Sequence, residues 1–219
     1  MTSQGTWRRR AGRFARLIAC SLAAMTLLVP PALADDLLTR FEGDPAAAQA
    51  MLDLAREAFD GWVLRHERLT PPDGLPALLG ERSGVFVSAI LGDAPRCCMG
   101  SVYPTRPTIA AEVAHAARMT AGLDLRFPPI TPAELPRLRL IVSVIAPPEP
   151  IASPAGLDPL VEGLAVRGPR RWGVVLPAET PRAELMEPWA RTRAGVGESD
   201  RVDYYRVRAF RILEPPREP

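Results

Sequence analysis

The stretch Gly84–Leu91, GVFVSAIL, is an apolar and β-branched run with one polar interruption. Eight residues is strand length rather than helix length, and apolar side chains at both odd and even positions need cover on both faces. It is predicted to be a buried strand. A second run of the same kind, Leu138–Ala146 (LRLIVSVIA), is predicted to be a central strand. Working outward, Gly92-Asp93-Ala94-Pro95 is turn chemistry, and Arg96–Val102 is predicted to return as a second strand or a loop leaving it.

Helices flank these runs. Asp44-Pro45 reads as a cap followed by proline at the first helical position, and Met51, Ala55, Ala58, Phe59, Trp62 and Val63 then recur at helical steps as far as about Arg65. Thr70–Gly74 breaks that helix. Thr108–Gly122 (TIAAEVAHAARMTAG) opens on a capping threonine and stops on glycine, which predicts a second helix. An irregular bridge, Phe127–Pro132, and a short turn over Pro132–Leu135 lead into the central strand, and Pro147–Pro150 ends it. Gly163–Arg167 and Trp172–Leu176 read as a hairpin around Gly168–Arg171. Thr180-Pro181 begins a third helix that stops near Gly195, bent or shortened by Pro188. Val202–Leu213 alternates and is predicted to be one long closing strand. The expected fold is α+β, a mixed and largely antiparallel sheet flanked by helices, in a single domain over residues 35–219.

Residues 1–34 are read as a signal peptide. Arg8, Arg9, Arg10, Arg13 and Arg16 precede an apolar run, Leu17–Val29, and Ala32-Leu33-Ala34 supplies a small-x-small end. A bilayer-spanning helix needs about 20 apolar residues, more than this run offers. The expectation is cleavage near Ala34, a periplasmic or secreted protein, and no stable membrane anchor after the leader is removed. The whole chain carries 27 basic and 25 acidic residues; five of the basic and none of the acidic residues fall in 1–34, which leaves 22 against 25 beyond it. The remainder therefore lacks the basic footprint that nucleic-acid binding requires. All 27 basic residues are arginine, so Schiff-base and P-loop lysine chemistry is excluded. The chain also contains no asparagine, which excludes N-linked glycosylation.

Few residues can carry chemistry. His66 ends the first helix, where a cation complements the helix dipole, and His115 lies within the second. Neither has a metal-ligand neighbour at helical or turn spacing, and no metal or cofactor is expected. The one local anomaly is Pro95-Arg96-Cys97-Cys98-Met99-Gly100. Its cysteine pair has three readings. They are two buried apolar side chains, a vicinal disulfide, or a thiolate that acts as nucleophile or grips a ligand beside Arg96. On an extended backbone Arg96 and Cys98, two apart, share a face, while Cys97 points away.

The ordered series Gly84–Ser88, Arg96–Gly100, Arg126–Pro136, Val142–Ile145, Pro147–Pro150, Gly163–Val166 and Leu176-Pro177 resembles the AMMECR-type domain over about residues 48–210. That resemblance implies two unequal lobes sharing a cleft, with a signature L-R-G-C-I-G facing it. Carried over by position, the signature arginine is Arg96, its cysteine Cys98 and its last glycine Gly100. Pro95, Cys97 and Met99 replace the signature's Leu, first Gly and Ile. Ile141 stands where relatives often have Glu, and Ala178 where a polar residue is common. The later cysteine of the C-terminal helix is missing near Trp189. Relatives are often encoded beside a Memo-like protein and a radical-SAM enzyme, which implies partners in a shared pathway.

The candidate site is therefore Cys98 as catalytic thiol with Arg96, Cys97, Gly100 and Arg126 as ligand-binding residues. The favoured function is an accessory module that binds an unknown small molecule or protein at Arg96–Gly100. The alternatives are a small-molecule enzyme using the Cys98 thiolate and a periplasmic redox switch through a Cys97–Cys98 disulfide.

Overall fold

The computed structural model describes residues 31–216, with side chains from Leu37 onward. Of the leader read over residues 1–34, residues 1–30 lie outside the described residues, and 31–34 begin the first helix. The elements run α1 (Pro31–Glu42), α2 (Pro45–Arg65), β1 (Gly84–Leu91), β2 (Ala94–Gly100), α3 (Ile109–Gly122), β3 (Leu138–Ile145), β4 (Glu149–Ile151), β5 (Gly163–Arg167), β6 (Trp172–Val175), α4 (Ala183–Ala194), β7 (Asp203–Val207) and β8 (Ala209–Leu213). The expected α+β architecture is present. The strands form two four-stranded sheets, ordered β2-β1-β3-β8 and β4-β7-β5-β6, and every pair is antiparallel.

Local chemistry explains the helix ends. Asp44 accepts a hydrogen bond from the Ala47 amide at 2.9 Å with Pro45 at the first helical position, and His66 closes α2 in left-handed backbone at φ 54°. Such a cap contributes about 1 kcal/mol. Thr108 caps α3 in the same way, accepting from Ala111 at 3.1 Å. Alanines along α3 let it lie close to the sheet, and Gly122 meets the Trp62 indole of α2, where a Cβ would collide.

The first sheet is the centre of the larger lobe. Its helix-side face carries Val85, Val87, Ala89, Leu140, Val142 and Val144, all fully buried under α2 and α3. The smaller lobe packs α4 on the second sheet through Leu164, Val166, Val175, Met186 and Ala190. A third apolar cluster, including Phe86, Ile145, Ala165, Leu176 and Val207, joins the two sheets.

Two chain segments tie the lobes together, and both differ from the sequence expectation. Val202–Leu213 is not one strand. It breaks at Arg208, β7 pairing in the second sheet and β8 in the first. The Arg208 carbonyl accepts from the Ala146 amide at 2.9 Å, which pins the break to the end of β3. The segment expected only to end the central strand also continues, past Pro147-Pro148, as β4 against β7.

Candidate functional site

β2 is an edge strand, and its irregularity arranges the site. Ala89 of β1 opposes Cys97, but Ile90 opposes Pro95, so Arg96 is an extra residue, a β-bulge. The bulge cancels the alternation that would put Arg96 and Cys98 on one face. The Arg96 guanidinium instead turns toward the loop after α3, donating to Glu134 at 2.7 Å and to the Pro128 carbonyl at 2.9 Å, beside the Phe127 ring. The pairing of Arg96 with Cys98 expected from sequence is therefore corrected. The arginine binds Glu134, whose carboxyl it holds down at about 2 against an ordinary 4.5, with help from the Thr131 amide and hydroxyl.

Cys97 points into the helix-side core, 3% exposed, and burial pushes its thiol up to about 12. Cys98 points to the other side of the sheet, into a cleft of about 690 Å³ between the lobes. Both sulfurs are free thiols. Of the expected ligand-binding residues, Gly100 and Arg126 also line the cleft, whereas Arg96 and Cys97 do not. Gly100 has a structural reason to be glycine, because a Cβ there would run into the Val85 carbonyl and the Phe86 side chain of β1.

One wall of the cleft comes from the first sheet, with Phe86, Cys98 and Gly100, and from the loop after α3. The other comes from β6 and α4 of the smaller lobe, with Trp172, Val174, Thr192 and Arg193. Asp124 organises the first wall. Its carboxylate accepts from the Cys98 amide at 2.9 Å and from two nitrogens of the Arg126 guanidinium at 2.8 Å each, while Arg126 donates to the Cys98 carbonyl at 2.7 Å. Those bonds outweigh the desolvation of Asp124 and lower its pKa. Glu179 organises the second wall, accepting from Arg193 at 2.6 and 3.0 Å and from the Leu176 amide at 2.9 Å.

Burial decides the ionisation of the sulfur. Burial and the Glu179 carboxylate push the Cys98 thiol up to about 11 from an ordinary 9.0, and the Ser88 hydroxyl, Arg126 and Arg193 offset only part of this. Ser88 Oγ lies 3.0 Å from the sulfur. Neither histidine lines the cleft. His115 instead meets Arg106 at 3.2 Å, and His66 caps α2. No cluster of three metal-ligating side chains occurs among the described residues.

Sequence reasoning missed Asp124, Glu179, Arg193 and Trp172. Asp124 and Glu179 lie in connecting segments, Trp172 and Arg193 at opposite ends of their elements, and only lobe packing brings them together. Of the two departures from the family pattern that sequence placed near the cleft, Ile141 pairs opposite Ser88 on β3, and Ala178 occupies left-handed backbone at φ 53°.

A two-lobed α+β scaffold of two antiparallel four-stranded sheets, with Cys98 lining the cleft between the lobes, defines the general class of this protein. More narrowly, the chain belongs to the AMMECR1 family, whose pattern it matches over residues 52–211. It is 34% identical over 160 residues to a protein of Thermotoga maritima, across 69% of this chain and 90% of that one. A protein of Aeropyrum pernix is 33% identical over 194 residues, across 80% of this chain and 82% of the relative. The fold is similar to the crystal structure of an uncharacterized protein from Pyrococcus horikoshii, with a TM-score of 0.64 and 27% identity. That likeness covers 77% of this chain and 92% of the archaeal one.

Proposed function

We propose that the chain is an accessory binding module whose interlobe cleft holds a small molecule, with Cys98 as a neutral contact group rather than a nucleophile. The observation that carries this reading is the company of the sulfur. It is desolvated by burial, lies near the Glu179 carboxylate, and has no histidine in its cleft to take its proton. A thiol must ionise to attack, and a cysteine nucleophile is ordinarily paired with a base or a cation that lowers its pKa. Here Arg126 and Arg193 are already committed to carboxylates, and Arg211, the third arginine near the sulfur, is buried and donates to the Pro177 carbonyl.

Alkylation of the intact protein by iodoacetamide across a pH series tests this reading. With Cys20 replaced by serine and Cys97 buried, the rate reports Cys98, and it should stay low at neutral pH and climb toward pH 11. A rate already at its plateau near pH 7 would overturn the reading and return Cys98 to the role of nucleophile.

The leader pattern of residues 1–34 supports action outside the cytoplasm. Cleavage near Ala34 would keep Leu38 and Phe41, both buried in the larger core, within the mature chain. N-terminal sequencing of the protein from an envelope or culture fraction should begin near Asp35, and an intact Met1 there would overturn export by cleavage.

A further inference from the structure

We infer that the cleft selects an apolar molecule carrying one anionic group, such as an aromatic carboxylate or sulfonate, and that Arg171 receives the charge. This rests on the cleft being the binding site proposed above, and it adds the class of ligand.

The charged residues of the cleft are of two kinds. Asp124 with Arg126, and Glu179 with Arg193, are ion pairs closed within the protein at 2.8 and 2.6 Å, so each presents little net charge to a ligand. Arg171 differs. It is exposed, lines the cleft from the start of β6, and has no carboxylate partner among the described residues. Its guanidinium lies beside Gly195, the left-handed cap of α4. Among the residues that line the cleft, Arg171 is thus the one uncompensated cation beside two neutralised pairs, while Arg211 lies buried behind the lining and donates to the Pro177 carbonyl.

Most of the rest of the lining is apolar, with Ser101 and Thr192 as its hydroxyl groups. Trp172, next to Arg171, meets Tyr103 at 5.6 Å and 66° and Tyr205 at 4.9 Å and 65°, two edge-on contacts that fix the indole. Phe86 and Val102 belong to the same apolar cluster. At the mouth, Leu123 is exposed and Leu125 is 96% exposed, bare apolar surface that a ligand body would cover. A guanidinium offers an anion paired charge-assisted hydrogen bonds, whereas a cationic ligand would meet repulsion.

Two dyes of similar apolar body test this on the full chain with Cys20→Ser, which leaves Cys98 as the accessible thiol: anionic 8-anilinonaphthalene-1-sulfonate and neutral N-phenyl-1-naphthylamine. Each is titrated against the wild type and Arg171→Ala, and protection of Cys98 from methyl methanethiosulfonate at alkaline pH shows whether the dye occupies the cleft. The expected result is that both dyes protect Cys98, and that Arg171→Ala weakens the sulfonate about tenfold, the size of one charge-assisted contact, while leaving the neutral dye unchanged. An unchanged sulfonate affinity in Arg171→Ala would overturn the ligand class and leave the cleft reading standing. If neither dye binds the wild type, or if bound dye leaves Cys98 unprotected, the cleft reading itself falls.

Discussion

The two faces of the first sheet are built by the same four strands and have opposite characters. The helix-side face is a continuous apolar layer, including Val85, Val87, Leu140, Val142 and Val144, all fully buried. The cleft-side face carries Ser88, Cys98 and Ser143, with Arg211 in the same row as Ser143 across the β3–β8 pair. Two of its polar atoms, Ser143 Oγ and Arg211 Nε, are buried without a hydrogen-bond partner. Such groups are costly to bury, and the strands that tolerate them are held by the packing on their other side. The helix-side face is apolar throughout, whereas the cleft-side face mixes these polar groups with Phe86 and Ile145 of the cluster that joins the sheets.

The sharpest way to break this contrast is to cut into the apolar face. Leu140→Ala should cost about 3 kcal/mol in guanidinium denaturation, because a fully buried side chain leaves a cavity that two rigid helices do not fill. Gly100→Ala is the exception expected on the cleft side, at about 2 kcal/mol, since its Cβ meets the backbone of β1 rather than open space. A loss as small as that of an ordinary surface alanine would show that β2 can shift away.

The adjacent cysteines compare the faces at a single position in the chain. Cys97→Ser should cost about 2 kcal/mol, because it places an unpartnered hydroxyl in the core. Cys98→Ser should cost less than about 1 kcal/mol, because the Ser88 hydroxyl is there to pair with it. Equal losses would mean that the two environments are the same, against the placement of one sulfur in each.

The Arg96–Glu134 pair anchors the bulge, and acid should release it. The folded Glu134 pKa, about 2, lies below its ordinary 4.5, so the pair's stabilisation is complete above about pH 4.5 and fades as pH falls toward 2. Glu134→Gln should therefore cost about 1 kcal/mol at pH 7, after allowance for solvent screening, and wild type and variant should converge near pH 2. A gap that persists in acid would assign the loss to the capping bonds with Thr131 instead. The smallest effect is expected at Ser143→Ala, within about 0.5 kcal/mol, because the lost hydroxyl has no protein partner.

Much of this architecture was legible before any coordinates. The helices at Pro45–Arg65 and Ile109–Gly122, the strands at Gly84–Leu91 and Leu138–Ile145, and the hairpin at Gly163–Val175 each carry their own cap, turn or period. The site was legible only in part. Cys98 and Gly100 came from a signature and Arg126 from a separate stretch of the family resemblance, and the structure places all three on the cleft. Arg96 was misplaced because alternation along a strand presumes regular pairing, and a bulge depends on the partner strand. Val202–Leu213 looked like one strand for a related reason. Nothing in its alternating pattern marks Arg208 as the point where the chain leaves one sheet for the other.

Short-range chemistry thus determined most of the elements by itself, since caps, prolines and apolar periods act within a few residues of one another. It also set the inventory: no lysine, two histidines, and one vicinal cysteine pair in a chain of 219 residues. The tertiary structure alone decided which sulfur meets a cleft, which arginine stands beside it, and which cation is left uncompensated. Those outcomes rest on contacts between residues far apart in the chain, such as Cys98 with Asp124 and Arg193 with Glu179, and no local pattern encodes them.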